Sequence, residues 1–234
     1  MRAPRMRVGV YGDSRTSSLP DLLSKVGHDV SYMDYDPAPP AFEELDLVLL
    51  EVRDTLLESA IERLAERARR GQIFIHTSLQ HGVLVMDPLE VTGAVVIAMG
   101  ELSPTRWAVT TVDELGDTIA ELLLGELGAS GVPCVDEDRL RLAAAVTYVE
   151  AVNALGRDAV RMLGDVVGDI EEADDIAASR GNLSRLPDAA SLRAQWQAID
   201  SPGQARAFRQ VLRRVAETRH NQDIELWAIQ EEKL

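Results

Sequence analysis

The front of the chain alternates short apolar runs with longer segments in which apolar residues recur every three or four positions. Arg7-Val8-Gly9-Val10-Tyr11 reads as a buried first strand ended by Gly12. A helix follows from Ser18 to Val26 and stops at Gly27; Ser18-Leu19-Pro20-Asp21 fits a capping box, with proline in the first turn, where its missing N–H is no loss. Asp29 to Met33 predicts a second strand, and Asp36-Pro37-Ala38-Pro39-Pro40 a loop, because successive prolines supply no ladder donors. Leu45 to Val52 is apolar nearly throughout, as a parallel strand covered on both faces requires. Leu57, Ile61, Leu64 and Ala68 predict a helix from Asp54 to Arg70, with Gly71 as its stop. Further strands are expected at Gln72–His76, Ala94–Met99, Trp107–Thr110 and Val132–Val135, and a helix at Thr111–Leu127. This succession predicts an α/β fold: a Rossmann-like, doubly wound, mostly parallel sheet, since right-handed crossovers leave few alternatives.

After Asp136 the pattern changes. Leu140 to Leu163 reads as one long helix with Ala145, Val149, Val152, Gly156, Ala159 and Leu163 on a single stripe. Shorter helices are expected near Glu171–Ala178, Ala189–Ala198 and Gln204–Thr218, and the tail Gln222–Leu234, with Ile224, Leu226, Trp227 and Ile229, is expected to dock. The pattern divides the chain into residues 1–136, of Rossmann type, and 137–234, a smaller all-helical C-terminal domain. The stripe of small residues predicts either a homodimer through the C-terminal helices or cover from the shorter helices of the same chain.

Composition narrows the partners. The 234 residues carry a net charge of −15, which repels a phosphate backbone and argues against nucleic acid. Arg67, Arg69 and Arg70, and Arg213-Arg214, are expected to be solvated helix faces. One cysteine, Cys134, allows no internal disulfide. No apolar leader is expected from the first residues, and no run reaches about 18 apolar residues. A cytoplasmic protein with a small-molecule ligand, and neither membrane nor metal, is expected; Cys134 has no neighbouring cysteine and no HExxH spacing occurs.

The turn after the first strand carries the candidate cofactor chemistry. A dinucleotide fold places G-x-G-x-x-G there: one glycine for the turn, one for close approach of the pyrophosphate, one for helix–strand packing. Here the segment is Gly12-Asp13-Ser14-Arg15-Thr16-Ser17, with Ser18 next. Gly12 is in place and Ser14 and Ser17 replace the other two. Hydroxyls, amides and a guanidinium ahead of a helix suit an anion; a loop whose serines only cap the helix is the alternative. Asp34, after the second strand, stands where an acidic residue takes ribose hydroxyls, whereas Asp36 suits the start of the Pro37 turn.

Arg7–Tyr11 with its turn, Leu45–Asp54 ending Glu51-Val52-Arg53-Asp54, and Gly71–Ser78 ending His76-Thr77-Ser78 together resemble the 6-phosphogluconate dehydrogenase-like superfamily, in particular its group of uncharacterised Rossmann-like oxidoreductases. In that group the third strand ends in a Val-Pro-Asp-like turn and the next in His-Thr-Ser-Gly. The resemblance spans residues 5 to 165 and implies an NAD or NADP domain followed by a helical, often dimer-forming domain, with the substrate cleft between them. The positions that match are Gly12, Asp54, His76, Thr77 and Ser78, and Arg53 lies in the same turn. Leu79 replaces the glycine after His-Thr-Ser, no His-Pro follows Met99, and the Lys-plus-Asn helix signature of hydroxyacid dehydrogenases is absent.

Catalytic candidates are His76, with Ser78 and His81 beside it at a strand end, and Asn153, which shares a helix face with Glu150 and Arg157, near Arg161. A hydrogen-bonded structural histidine and an exposed Glu–Arg face are the plainer readings. Two functions follow. One is an NAD(P)-dependent oxidoreductase of an unknown small metabolite with a degenerate phosphate loop; a deazaflavin-dependent relative is a variant of it. The other is a catalytically inactive ligand-binding or regulatory protein on the same scaffold.

Overall fold

The computed structural model describes residues 5–12, 17–33, 42–180 and 186–230. The chain forms two compact units, Met1–Tyr148 and Val149–Leu234. In the first, strands β1 (Arg7–Tyr11), β2 (Asp29–Met33), β3 (Leu47–Leu50), β4 (Ile73–His76), β5 (Val95–Ser103), β6 (Arg106–Thr111) and β7 (Ser130–Pro133) make one sheet in the order β2-β1-β3-β4-β5-β6-β7. All pairs are parallel except β5 with β6. The order reverses between β1 and β3, where the connections leave in opposite directions. In such sheets ligands settle at the carboxyl ends of the strands beside that reversal.

The two faces follow from the strict alternation of side chains. Val8, Val10, Leu47, Leu49, Ile75 and Ile97 face helices α1 (Leu19–Val26) and α4 (Glu114–Glu126), burying Leu19, Leu23, Ala120, Leu123 and Leu124. Val48, Leu50, Phe74, Val96 and Ala98 face α2 (Asp54–Ala65) and α3 (Asp87–Glu90), burying Leu57, Ala60, Ile61, Leu64 and Leu89. Each fully buried Leu, Ile or Phe contributes about 2 kcal/mol of transfer free energy, which is what holds β3 between two helical layers. The doubly wound sheet expected from the apolar runs is therefore present.

Some local expectations need correction. The helix begun at Asp54 ends at Ala65, not Arg70. Beyond it Arg67 is half-buried, 5.4 Å from the centre of the Phe42 ring, whereas Arg69 and Arg70 are exposed as expected, Arg69 donating to the carbonyls of Glu43 and Leu45 at 3.0 and 2.8 Å. The fifth strand runs past Met99 to Ser103 because it folds back on β6 through the Pro104-Thr105 turn. The capping box is not formed: the Ser18 side chain makes no cap hydrogen bond.

The long helix α5 (Asp136–Val167) begins earlier than its apolar period suggests, and α6 (Ile170–Arg180) follows it. In the second unit α7 (Ala189–Gln197), α8 (Pro202–Thr218) and α9 (Gln222–Gln230) enclose Leu192, Ala216, Ile224, Trp227 and Ala228. Asp188 caps α7 by accepting from Ser191 N at 2.8 Å. Ile224 and Trp227 are buried as the tail's pattern predicts, while Leu226 points outward. Among the described residues no helix is long and apolar enough to cross a membrane.

Candidate functional site

The turn after β1 is set by Gly12, whose φ of 104° lies in the left-handed region. A side chain there would meet the Glu51 carbonyl oxygen at 2.5 Å, so glycine is required both for the bend and for the close packing on the end of β3. Asp13, Ser14, Arg15 and Thr16 lie outside the described residues, as do Asp34 and Asp36. The chain re-enters at Ser17 and Ser18, directly ahead of α1.

Both serines are held by carboxylates. Ser17 donates its backbone N–H to Glu51 Oε2 at 3.1 Å and its hydroxyl to Glu51 Oε1 at 2.6 Å. The same hydroxyl accepts from Leu19 N at 3.2 Å. Ser18 N donates to Glu101 Oε2 at 2.7 Å. Glu51 follows β3 immediately and is buried, 1% exposed. Glu101 belongs to the part of β5 that outruns β4: the β4–β5 register ends at His76 with Ala98, and the β5–β6 pair continues to Ser103 with an irregularity between Glu101 and Ser103. A bulge of this kind re-aims a strand's side chains. The two carboxylates thus come from different strands to the amino end of one helix, where amides and the helix dipole favour negative charge.

This pair is what sequence reasoning missed. The signal was present at Glu51, a carboxylate at the end of a run otherwise built for two-sided burial. At Glu101 there was none, since the contact spans 83 positions.

A second polar cluster surrounds the end of β4. His76 is fully buried, and its Nε2 bonds to the Gly82 carbonyl at 2.8 Å, which leaves Nδ1 as the bare nitrogen. Nδ1 has no hydrogen-bond partner among the described residues. Burial pushes the imidazole pKa down to about 4, with the Arg139 guanidinium and His81 pressing the same way against the Gly82 bond and Asp136. His76 is therefore neutral near pH 7 and a poor proton donor there. Ser78 Oγ accepts from His81 N at 3.2 Å, closing the turn. Leu79, at the position where the resembling group has glycine, packs on Gly100, whose Cβ would come within 2.6 Å of it.

Asp136, the first residue of α5, accepts from Val83 N and Leu84 N at 2.9 and 2.8 Å. Arg139, one turn later, is fully buried and donates to Ala98 O, Ala108 O and Thr110 Oγ1 at 2.7–3.2 Å. Burial lowers its pKa, opposed by Cys134 and Asp136. Arg139 therefore pins the start of α5 across β5 and β6.

The remaining candidates stand apart from these clusters by their surroundings. Arg53 is exposed and Asp54 half-buried at the start of α2. Asn153 is exposed on α5 in the second unit, as are Glu150, Arg157 and Arg161. Among the described residues no group of three or more metal-ligating side chains occurs.

Residues 34–101 match the model of the Rossmann-like domain, and residues 135–231 match that of the 6-phosphogluconate dehydrogenase C-terminal domain-like family. The chain thus joins a Rossmann-like domain to a 6-phosphogluconate dehydrogenase-like C-terminal domain. This bears out the resemblance read from the strand ends. The Rossmann-like match starts beyond the β1–α1 turn, the segment that lacks two glycines. Several solved structures are similar. A candidate NADP oxidoreductase from Bacteroides fragilis has a TM-score of 0.65 at 12% identity, covering 91% of this chain and 98% of its own. An imine reductase from Aspergillus terreus, solved with NADPH4 and a dibenzazepine, has a TM-score of 0.60 at 11% identity, covering 94% and 96%. The 1-pyrroline-5-carboxylate reductase of Streptococcus pyogenes has a TM-score of 0.57 at 17% identity, covering 98% and 99%. At these identities the likeness is one of fold. No curated protein gives a significant match to the sequence.

Proposed function

We propose that this 6-phosphogluconate dehydrogenase-like protein is an NAD(P)-dependent oxidoreductase of a small metabolite, with the dinucleotide phosphates seated at the β1–α1 turn. One observation carries the reading. At the topological reversal of the sheet, the amides of Ser17 and Ser18 and the Ser17 hydroxyl all donate to carboxylate oxygens. The Glu101 oxygen on Ser18 stands in for a phosphate oxygen: that donor is built and aimed, and it takes an anion. Gly12 keeps the close backbone approach that the turn needs.

NAD or NADP would supply a hydride donor or acceptor. The chain's own part is to bind and orient. Ser18 would hold phosphate, with Ser17 fixed beside it by Glu51, and Asp34 would take the ribose hydroxyls. Ser78, in the turn beside the buried His76, would be the substrate-side group of this unit. Two of the similar structures are reductases named for an imine and a pyrroline carboxylate; the substrate proposed here is accordingly a small compound with a C=N or C=O bond. The test is reduced-cofactor oxidation by the purified protein across cyclic imines, imino acids and keto acids. Turnover of any one supports the reading, and none across the panel contradicts it.

One observation favours the second reading, an inactive ligand-binding protein on this scaffold: Glu51 and Glu101 already hold the donors that a phosphate would use.

We also propose a homodimer through α5. Val149, Val152 and Leu155 recur at helical spacing on it and are 58%, 48% and 40% exposed, more apolar surface than one helix ordinarily leaves to water.

A further inference from the structure

The carboxylates on Ser17 and Ser18 differ in how firmly they are held. Glu51 is buried at the end of β3 and bonds both the N–H and the hydroxyl of Ser17. It also sits behind Gly12, whose approach to the Glu51 backbone admits no side chain. Glu51 is part of the turn's framework. Glu101 is half-buried and reaches Ser18 from the β5–β6 arm beyond the end of β4. Among the described residues its one bond to this turn is to Ser18 N, at 2.7 Å. Beside it the Ser18 hydroxyl is shielded from solvent and has no partner among the described residues.

We propose that Glu101 is an exchangeable internal anion that closes the phosphate seat, and that a pyrophosphate-bearing ligand binds by displacing it from Ser18. The identity of that ligand as a nicotinamide dinucleotide rests on the oxidoreductase reading; the closure by Glu101 does not. Two features support exchange at Glu101 and not at Glu51. A half-buried side chain on a two-stranded arm leaves its amide by rotating toward water, where its charge is solvated. The buried Glu51 would have to give up at least its two bonds to Ser17, which is more costly. The donors Glu101 would release, Ser18 N–H and Ser18 O–H, are the kind that phosphate oxygens accept from at a helix start.

Closure of this kind weakens an incoming anion twice, by competing for the Ser18 amide and by placing a like charge against it. Losing one charge-assisted hydrogen bond to a competitor corresponds to roughly a 10- to 100-fold loss in affinity. Glu101→Ala should therefore bind inorganic pyrophosphate and NADPH at least about tenfold more tightly than the wild type. Glu101→Gln, which keeps an acceptor but not the charge, should fall between them. Calorimetric titration of the full-length wild type and both variants, each first shown to melt cooperatively, reads this directly. Tighter binding of both probes in the order Ala, Gln, wild type supports the proposal. Tighter pyrophosphate with no NADPH binding to any of the three also supports it and defeats the cofactor reading instead. Micromolar NADPH binding to the wild type, unchanged or weakened in Glu101→Ala, overturns the closure while leaving the cofactor reading intact. Binding of neither probe to any of the three overturns it as well.

Discussion

Lowering the pH should destabilise the protein through His76. The imidazole is fully buried at the end of β4, with a pKa of about 4 against an unperturbed value of 6.5. Its folded pKa is depressed, so between pH 6.5 and pH 4 the unfolded chain binds the extra proton. The contribution of neutral His76 is complete above pH 6.5 and is lost as pH falls toward 4. With these two values the linkage relation removes about 2 kcal/mol between pH 7 and pH 5 and about 3 kcal/mol by pH 4. That is a large share of the stability of an ordinary domain. Denaturant unfolding at pH 7, 6, 5 and 4.5, for the wild type and for His76→Gln, isolates the term, since the carboxylates titrate in both proteins. Glutamine keeps a donor for the Gly82 carbonyl but has no proton to gain. The wild type should lose about 2 kcal/mol more than the variant between pH 7 and pH 5. Equal pH dependence in the two proteins would refute the argument, and with it the placement of His76 as a neutral, buried group.

Other substitutions test other joints of the structure. Gly12→Ala should cost about 3 kcal/mol in denaturant midpoint analysis, combining the left-handed φ with the contact on the Glu51 carbonyl; a near-neutral result would contradict the packing at that turn. Arg139→Met removes four hydrogen bonds that tie α5 to β5 and β6 and should cost about 3 kcal/mol or more, read as a fall in thermal midpoint. Val152→Glu should convert a dimer to a monomer in light scattering; a monomeric wild type would end the dimer proposal.

The strands were legible because parallel strands covered on both faces leave apolar runs that nothing else explains, as Leu47–Leu50 shows. What was not legible depends on register between distant strands. Glu101 meets Ser18 only because β5 outruns β4, and the strand outruns it only because β6 pairs with it in the opposite direction. Arg139 stands just ahead of the helix expected from Leu140 and belongs to no motif, yet three oxygens on β5 and β6 converge on it. Ser18 had the sequence of a cap, but its amide is committed to Glu101 and its hydroxyl does not cap. Leu79 stood out as a departure from the resembling group, and the structure answers it with Gly100, a pairing that local sequence does not carry.

The central claim is that the β1–α1 turn still seats a nicotinamide dinucleotide despite its missing glycines. Calorimetric titration of the purified wild-type protein with NAD⁺, NADH, NADP⁺ and NADPH tests it most directly. The account predicts saturable binding of at least one of the four, with one dinucleotide per chain. No binding of any of them at millimolar concentration would contradict it and leave the scaffold to another ligand.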